Sequence, residues 1–443
     1  MIRGLPGRSW FLLFSVVLIC SCTLPEEPGQ RIRLEAVHAG VTALTLKISA
    51  PGEPLPWSFS LHRDDSTLLT GRVAATDTLL TDYGLEPARV YRYRASLLED
   101  GQVVDESPGL PLATRDTTSH AVVWTVDTLG IWGTRLYDVA VIDEDDIWVV
   151  GEIYTDEPDT VHGNPFSVYT AAHWDGTEWE MILVPALTDW GAIARSAIFT
   201  IFKVSENELV MFSEAGSYVQ WVNGEWYSEY VEARPLYVYA AWGTSLSNLY
   251  FVGRDGGITN YDGSTFTLQE TGTLLPLHDI YGLDSDRIWA SGYTNTLPGS
   301  GGVILRYEET AWRTQYSADS VLDSLGYVYG LFVTGDTLYF NTSSGFRREH
   351  VITGEGYMIT SQNIGLSQYG PTRIRGSGYY DIVCAAGNLN YYHWNGSSWR
   401  SILDTWAALG DRFWYADFHV SPDLIVIPGS VSAGGIVFRG IRM

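Results

Sequence analysis

The chain has 443 residues, of which 45% are apolar, 18% charged and 13% aromatic, with 45 glycines. That is enough apolar material for more than one core, and many aromatics and glycines with few charges favour β-structure with tight turns over a disordered chain. Acids outnumber bases 52 to 27, a formal charge of −25 that disfavours phosphate backbones and excludes nucleic acid as a partner.

Arg3 and Arg8 give a positive start with no acid, and residues 10–19 form a short apolar run. The run is shorter than the roughly 20 residues of a membrane span and suits a signal peptide. It ends in Leu18-Ile19-Cys20-Ser21-Cys22, which resembles a bacterial lipoprotein lipobox with Cys22 as the acceptor. Cys20 is the poorer acceptor, because Ile19 would then stand where a small residue is wanted. The resemblance implies a signal peptide over 1–21, lipidation of Cys22 and a lipidated tether over 22–30; an ordinary cleaved signal peptide is the plainer alternative. Several acyl chains anchor a protein to a membrane firmly where one does not. Cleavage removes two arginines and no acid, so the mature formal charge is −27. Thr23 replaces the Asp that retains lipoproteins of this kind at the inner membrane. The expected location is the bacterial cell envelope, leaning toward the outer membrane, on its periplasmic or surface face. Cys384 is then the one remaining thiol, so no intrachain disulfide can form. Its apolar run Ile382-Val383-Cys384-Ala385-Ala386 reads as core.

Residues 31–116 alternate apolar and polar side chains with a period of two, as in 41–48, where Leu44, Leu46 and Ile48 share a face, and in 57–63, where Trp57, Phe59 and Leu61 do. About seven short strands, with turns at Tyr83-Gly84 and Asp100-Gly101, predict an Ig-like sandwich. The segment Leu85-Glu86-Pro87-Ala88-Arg89-Val90-Tyr91-Arg92-Tyr93-Arg94-Ala95 resembles the L-x-P-x-x-x-Y-x-Y-x-A signature of fibronectin type III domains. The resemblance implies that Leu85 plugs the core and that the Tyr91 hydroxyl returns to the backbone of the corner. The core Trp usual on the family's second strand is missing, and Trp57 is placed to fill part of that volume. Such modules often serve as spacers, so this likeness speaks for fold and little for function.

Residues 119–443 repeat. Trp174-Asp175-Gly176-Thr177-Glu178-Trp179 returns as Trp221-Val222-Asn223-Gly224-Glu225-Trp226, Tyr261-Asp262-Gly263-Ser264-Thr265-Phe266, Tyr307-Glu308-Glu309-Thr310-Ala311-Trp312 and Trp394-Asn395-Gly396-Ser397-Ser398-Trp399. A degenerate copy falls near 351–357, and Phe438-Arg439-Gly440 reads as a truncated last copy, for a mean spacing of about 44. An apolar strand precedes each turn, and another precedes that strand. Four strands per 40–45 residues is the pattern of a β-propeller blade, with Asp/Asn-Gly supplying the positive φ of a tight hairpin. Residues 121–127 have no preceding partner and are expected to pair with the C-terminal blade, with Trp124 in the place of Trp179. The predicted fold class is all-β, an Ig-like or fibronectin type III sandwich followed by a seven-bladed β-propeller, with six or eight blades also compatible. The repeats resemble bacterial propellers with D-G-x-x-W turns. They lack the GH…WD pairs of WD40 repeats, the GG doublets of kelch and the Asp-box spacing of sialidases.

No complete catalytic or metal motif is present. Lys47 and Lys203 are the only lysines and neither follows a glycine, which excludes a GxxxxGK[ST] loop. HExxH and G-x-S-x-G are also missing. No cofactor and no metal is expected, and the acidic run 143–146 reads as a solvated turn. Aligning the inner strands leaves Asp138, Trp242, Asp279, Tyr281, Arg373, Arg375, Tyr415 and Asp417 at positions that would line the channel mouth. Aromatic and charged groups together there suit a sugar or a peptide; a water-filled, internally neutralised channel is the alternative. The leading expectation is a non-catalytic lipoprotein that presents its propeller to a protein or glycan ligand on a fibronectin-like stalk. A carbohydrate-active propeller enzyme acting at the channel mouth and a structural part of an envelope complex stay open.

Overall fold

The computed structural model describes residues 30–64, 66–294, 301–318, 326–343, 345–351, 356–360, 371–386 and 390–443. The signal peptide, Cys22 and most of the tether lie outside them, as does part of the degenerate repeat near 351–357. Among the described residues no helix is long and apolar enough to cross a membrane. The chain divides into two compact units, up to Asp116 and from Thr117 to Met443.

The first unit is built of two antiparallel sheets. Three strands, Arg33–Ala39, Ala43–Ser49 and Asp77–Tyr83, form one; Ser66–Val73, Trp57–Arg63, Val90–Glu99, Gln102–Glu106 and Leu110–Ala113 form the other. Period-two alternation aims Leu44, Leu46 and Ile48 at Phe59, Leu61, Tyr93 and Ala95 in one core. Trp57 is buried in that core and donates its indole N–H to Ala75 O at 2.7 Å. The Tyr91 hydroxyl accepts the Glu86 backbone N–H at 2.8 Å, closing the corner above the buried Leu85.

The described residues of the second unit form seven antiparallel sheets, six of them running outward in sequence order. The first consists of Arg135–Asp143, Asp146–Thr155, Ser167–Trp174 and Trp179–Ile182. Five similar sheets follow, with innermost strands Ile198–Ser205, Val238–Ser245, Leu277–Asp284, Val328–Thr334 and Pro371–Gly378. The seventh has an interrupted inner edge, Trp414–Tyr415 and His419–Val420, then Leu424–Val431, Gly434–Arg442 and the early strand Val122–Leu129. Each innermost strand touches the next, and those of the seventh sheet touch the first, so the ring closes.

The repeated turn explains the packing between sheets. Asp175 Oδ1 accepts from the Thr177 and Glu178 N–H groups and from the Thr177 hydroxyl, and Asp262 does the same with Ser264 and Thr265. The glycine after each takes φ near +92°, for Gly176, or +93°, for Gly263. The flanking aromatics face each other across the hairpin, as Trp174 does Trp179 and Trp221 does Trp226. Three such pairs then meet an aromatic of the preceding sheet: Trp148 lies 5.5 Å from Trp221, Tyr218 5.2 Å from Tyr261, and Tyr250 5.8 Å from Tyr307; Trp174 meets the Arg439 guanidinium instead, at 3.8 Å.

The last copy is displaced. Ile425, the counterpart of Ile147, pairs with Gly440, so Gly440 and not Phe438 stands where Trp174 does. Trp124 pairs with Gly440 as Trp179 pairs with Trp174, so Trp124 takes the place of Trp179. A two-residue turn at Ser432 and Ala433 sets this register, and a hairpin's register follows its turn rather than the likeness of its sequence.

Candidate functional site

In six innermost strands the pairing slips by one residue near the start, at 136/138, 198/200, 238/240, 277/279, 328/330 and 371/373. A bulge of this kind re-aims the side chains beside it. The extra residue is Tyr137, Phe199, Tyr239, His278 or Tyr329 in the first five, and their rings form a collar around that end of the channel. Tyr137 meets Phe199 at 5.0 Å, Tyr239 stacks on His278 at 4.9 Å, and Tyr293 bridges His278 and Tyr329 at 4.8 and 4.7 Å. Tyr329 therefore belongs to the collar, and Gly330 takes the position that Asp138 holds.

The residue after the bulge faces the channel. Asp279, with no exposed surface, accepts the N–H of Ile280 at 3.1 Å and that of Leu331 on the next sheet at 3.0 Å. Arg375 grips both of its oxygens at 2.9 Å and also binds Asp417. Arg373 donates to His278 O at 3.0 Å and lies 3.6 Å from Asp279. Asp417 accepts the Phe418 N–H at 2.8 Å, and its own N–H donates to Tyr137 O at 3.0 Å. Asp138 accepts from the N–H groups of Val139 and Ile201 and from the Thr200 hydroxyl, at 2.8, 2.9 and 2.8 Å.

The electrostatics follow. Burial works against the charge on Asp417, but Arg375 and Arg373 outweigh it and hold its carboxyl below the usual range. Burial likewise opposes the charge of Arg375, while Asp279 and Asp417 keep it firmly protonated. Asp138 has no such cation. Burial first, and the Asp417 charge second, push its carboxyl up to about 7.

Asp138, Trp242, Asp279, Tyr281, Arg375 and Asp417 line one cavity of about 280 Å³. Arg373 adjoins it through its ion pairs. The Tyr415 backbone pairs with Gly429, and its side chain lies outside the described residues. Trp242 is 7% exposed and rests on Gly282 of the following sheet, where a Cβ would stand 2.5 Å from the indole. Tyr281 meets Phe332 edge-on at 5.2 Å. The charged residues are thus ties between sheets deep in the channel rather than groups standing free at its mouth. Two further titratable residues line the same cavity, Lys203 and His419. The rarity of lysine was the sequence signal for the first; nothing marked the second.

Elsewhere the acidic run is a turn, in which Asp143 accepts the Asp145 N–H and Asp146 accepts from the Trp148 indole. Among the described residues no three His, Cys, Asp or Glu side chains are grouped to hold a metal. Cys384 is fully buried and burial pushes its thiol up, so it is unreactive.

The two ends of the second unit differ. Loops entering the innermost strands carry exposed Trp132, Trp190, Ile193, Leu236, Leu274 and Trp414, of which Trp132 is 79% exposed. Clefts of about 560 and 490 Å³ flank Trp132, one toward Trp414 and Tyr137, the other toward Tyr154 and Phe166. Among the described residues, the hairpins at the opposite end expose no large apolar side chain; the exposed apolar groups there are Val123, Ile441 and Met443, beside the chain end, and none is aromatic.

The chain matches no known protein-family profile and no curated protein. It is similar in structure to YCF48 bound to a D1 peptide, at 15% identity and a TM-score of 0.53, over 74% of this chain and 97% of that one. It is also similar to the extracellular domain of BT4673 from B. thetaiotaomicron, at 11% identity and a TM-score of 0.50, over 71% of this chain and 39% of that one. These likenesses show the fold, and the fold is a β-propeller.

Proposed function

We propose that the chain is a non-catalytic envelope lipoprotein in which a fibronectin type III-like module, residues 31–116, precedes a seven-bladed propeller, 119–443, that binds a protein partner. The observation that carries the reading is the segregation of exposed Trp132, Trp190, Trp414 and Leu274 to one end of the propeller. Exposed Trp in clefts is typical of protein-binding hot spots, and a soluble surface rarely gathers such groups without use. YCF48, of the same fold, holds a peptide, which supports this class of partner. The lipid anchor and the outer-membrane location rest on Ile19, Ser21, Cys22 and Thr23. A glycan is the alternative ligand at the same end.

The test is capture from native envelope extract with the wild-type chain, a Trp132→Ala/Trp414→Ala variant and an Asp262→Lys variant at the opposite end. A saturable protein partner lost only in the Trp variant supports the reading, and equal capture by all three overturns it. Loss of membrane association in Cys22→Ser tests the anchor.

One observation favours a second reading. Asp138 and Asp417 share a cavity and titrate far apart, as an acid and base pair would. Their oxygens are already engaged by backbone, Thr200 and Arg375, which favours the structural role.

A further inference from the structure

The ion pairs of the channel leave Lys203 outside them. Asp279 and Asp417 are matched by Arg375 and Arg373. Asp138 is satisfied by three neutral donors. Lys203 lines the same cavity, on the far side of the cluster from the aromatic collar. Its ammonium donates to Ile142 O at 3.0 Å, and among the described residues no carboxylate lies within ion-pair distance of it. This is one of two lysines in a chain with 52 acids. A half-buried ammonium left with a single carbonyl has two donors to spare and an uncompensated charge.

His419 shares the wall. Burial first, then the charges of Lys203 and Arg375, push it down to about 4, so its ring is neutral and both cations reach it. The two charges that act on His419 are thus both positive, although the protein is strongly negative overall. Trp242, Phe202 and Tyr281 supply aromatic walls. The space of about 280 Å³ equals roughly nine waters at about 30 Å³ each, enough for a small organic molecule and too little for a folded segment.

We propose that this part of the channel binds a small organic carboxylate, its anionic group held by Lys203 beside His419 and its body packed on Trp242, Phe202 and Tyr281. A single ammonium next to a neutral imidazole matches one carboxylate better than a dianionic phosphate, which would call for more donors. The site is separate from the exposed tryptophans, so it stands whether or not they bind a protein.

The test is calorimetric titration of the full chain with acetate, benzoate and glucuronate, and with benzamide as the neutral counterpart of benzoate. We expect at least one carboxylate to saturate a single site. Where benzoate binds, benzamide binds about tenfold more weakly. Lys203→Met lowers carboxylate affinity about tenfold, Lys203→Arg keeps it within about threefold, and Lys47→Met leaves it unchanged. If Lys203→Met does not fold, the Lys203→Arg and benzamide comparisons still read the charge. Failure of all three acids to saturate below about 10 mM, or equal affinity in wild type and Lys203→Met, overturns the proposal. Partner capture in the presence of benzoate reads the exposed face separately.

Discussion

Asp138 and Asp279 occupy equivalent positions on the first and fourth innermost strands and make the same two backbone bonds. Each accepts the N–H of its successor, Val139 or Ile280, and an N–H of the next strand in the ring, Ile201 or Leu331. The difference lies in the third partner. Asp279 has the Arg375 guanidinium; Asp138 has the Thr200 hydroxyl and faces the charge of Asp417.

That difference gives a pH signature. An unfolded Asp titrates near 3.9, and the folded Asp138 carboxyl is pushed up to about 7. Between those values the folded chain keeps a proton that the unfolded chain has released, so this group's contribution to stability falls as pH rises. Asp138→Asn removes the titration. The variant should gain on wild type between pH 5 and pH 7 by up to roughly 1.4 kcal/mol per pH unit. Urea unfolding at pH 5 and pH 8 reads this, and the same gap at both shows that Asp138 does not titrate there.

Arg375→Met should be far more damaging. It strands the buried Asp279 carboxylate, and breaking a buried pair from one side costs about 3–5 kcal/mol. Arg375→Met combined with Asp279→Asn should recover part of that loss, because the unpaired charge goes with its partner. A double-mutant cycle in urea measures the coupling. Additive losses would mean that the two residues do not act as a pair.

The sequence shows the repeats because each Asp/Asn-Gly turn needs its own local chemistry, present four times with little tolerance. It also shows that charged and aromatic residues gather on the innermost strands. It hides the bulges, since an extra residue such as Tyr137 or His278 changes the facing of its neighbours without changing composition. The tie of Arg375 to Asp279 is invisible for another reason: the two are 96 residues apart and only ring closure brings them together. The displaced last copy misleads because Phe438 resembles the repeat while the turn at Ser432 fixes a register two residues away.

Gly282 carries a separate prediction. Its missing Cβ lets the Trp242 indole lie against the next sheet, and an added methyl would stand 2.5 Å from the ring. Gly282→Ala should lower stability by about 1–3 kcal/mol, the usual effect of overpacking. Its effect should nearly vanish in a Trp242→Leu background, where the shorter side chain leaves room. Thermal melts of the four chains check this, and an undiminished effect in the Leu background would place the strain elsewhere.

In the N-terminal unit, Tyr91→Phe keeps the ring in the core and deletes the hydroxyl that takes the Glu86 N–H. The expected loss is about 0.5–1.5 kcal/mol, the net worth of one such bond. Hydrogen exchange should locate it: the Glu86 amide loses protection while amides of the 43–49 strand change only with global stability. Unchanged protection at Glu86 would show that the corner does not rest on this bond.

The turn aspartates give the last test, and it separates local from ring-wide effects. Asp262 Oδ1 holds two N–H groups and a hydroxyl, and this arrangement sets the hairpin that brings Phe266 against Tyr261 at 4.3 Å. Asp262→Ala frees three donors, but the turn is exposed and water can replace the side chain, so the loss should be about 1 kcal/mol rather than three full bonds. Asp262→Asn keeps one acceptor oxygen and should lose less than half of that. Asn395 already does this work in the sixth sheet, accepting from Ser397 and Ser398. Tyr218 packs on both aromatics of the turn from the preceding sheet, so loosening the hairpin should weaken that contact as well. Equilibrium unfolding of the two variants, read by tryptophan fluorescence, checks the order Ala below Asn below wild type. Equal stability of all three would mean that the aromatic pair, not the aspartate, fixes the turn.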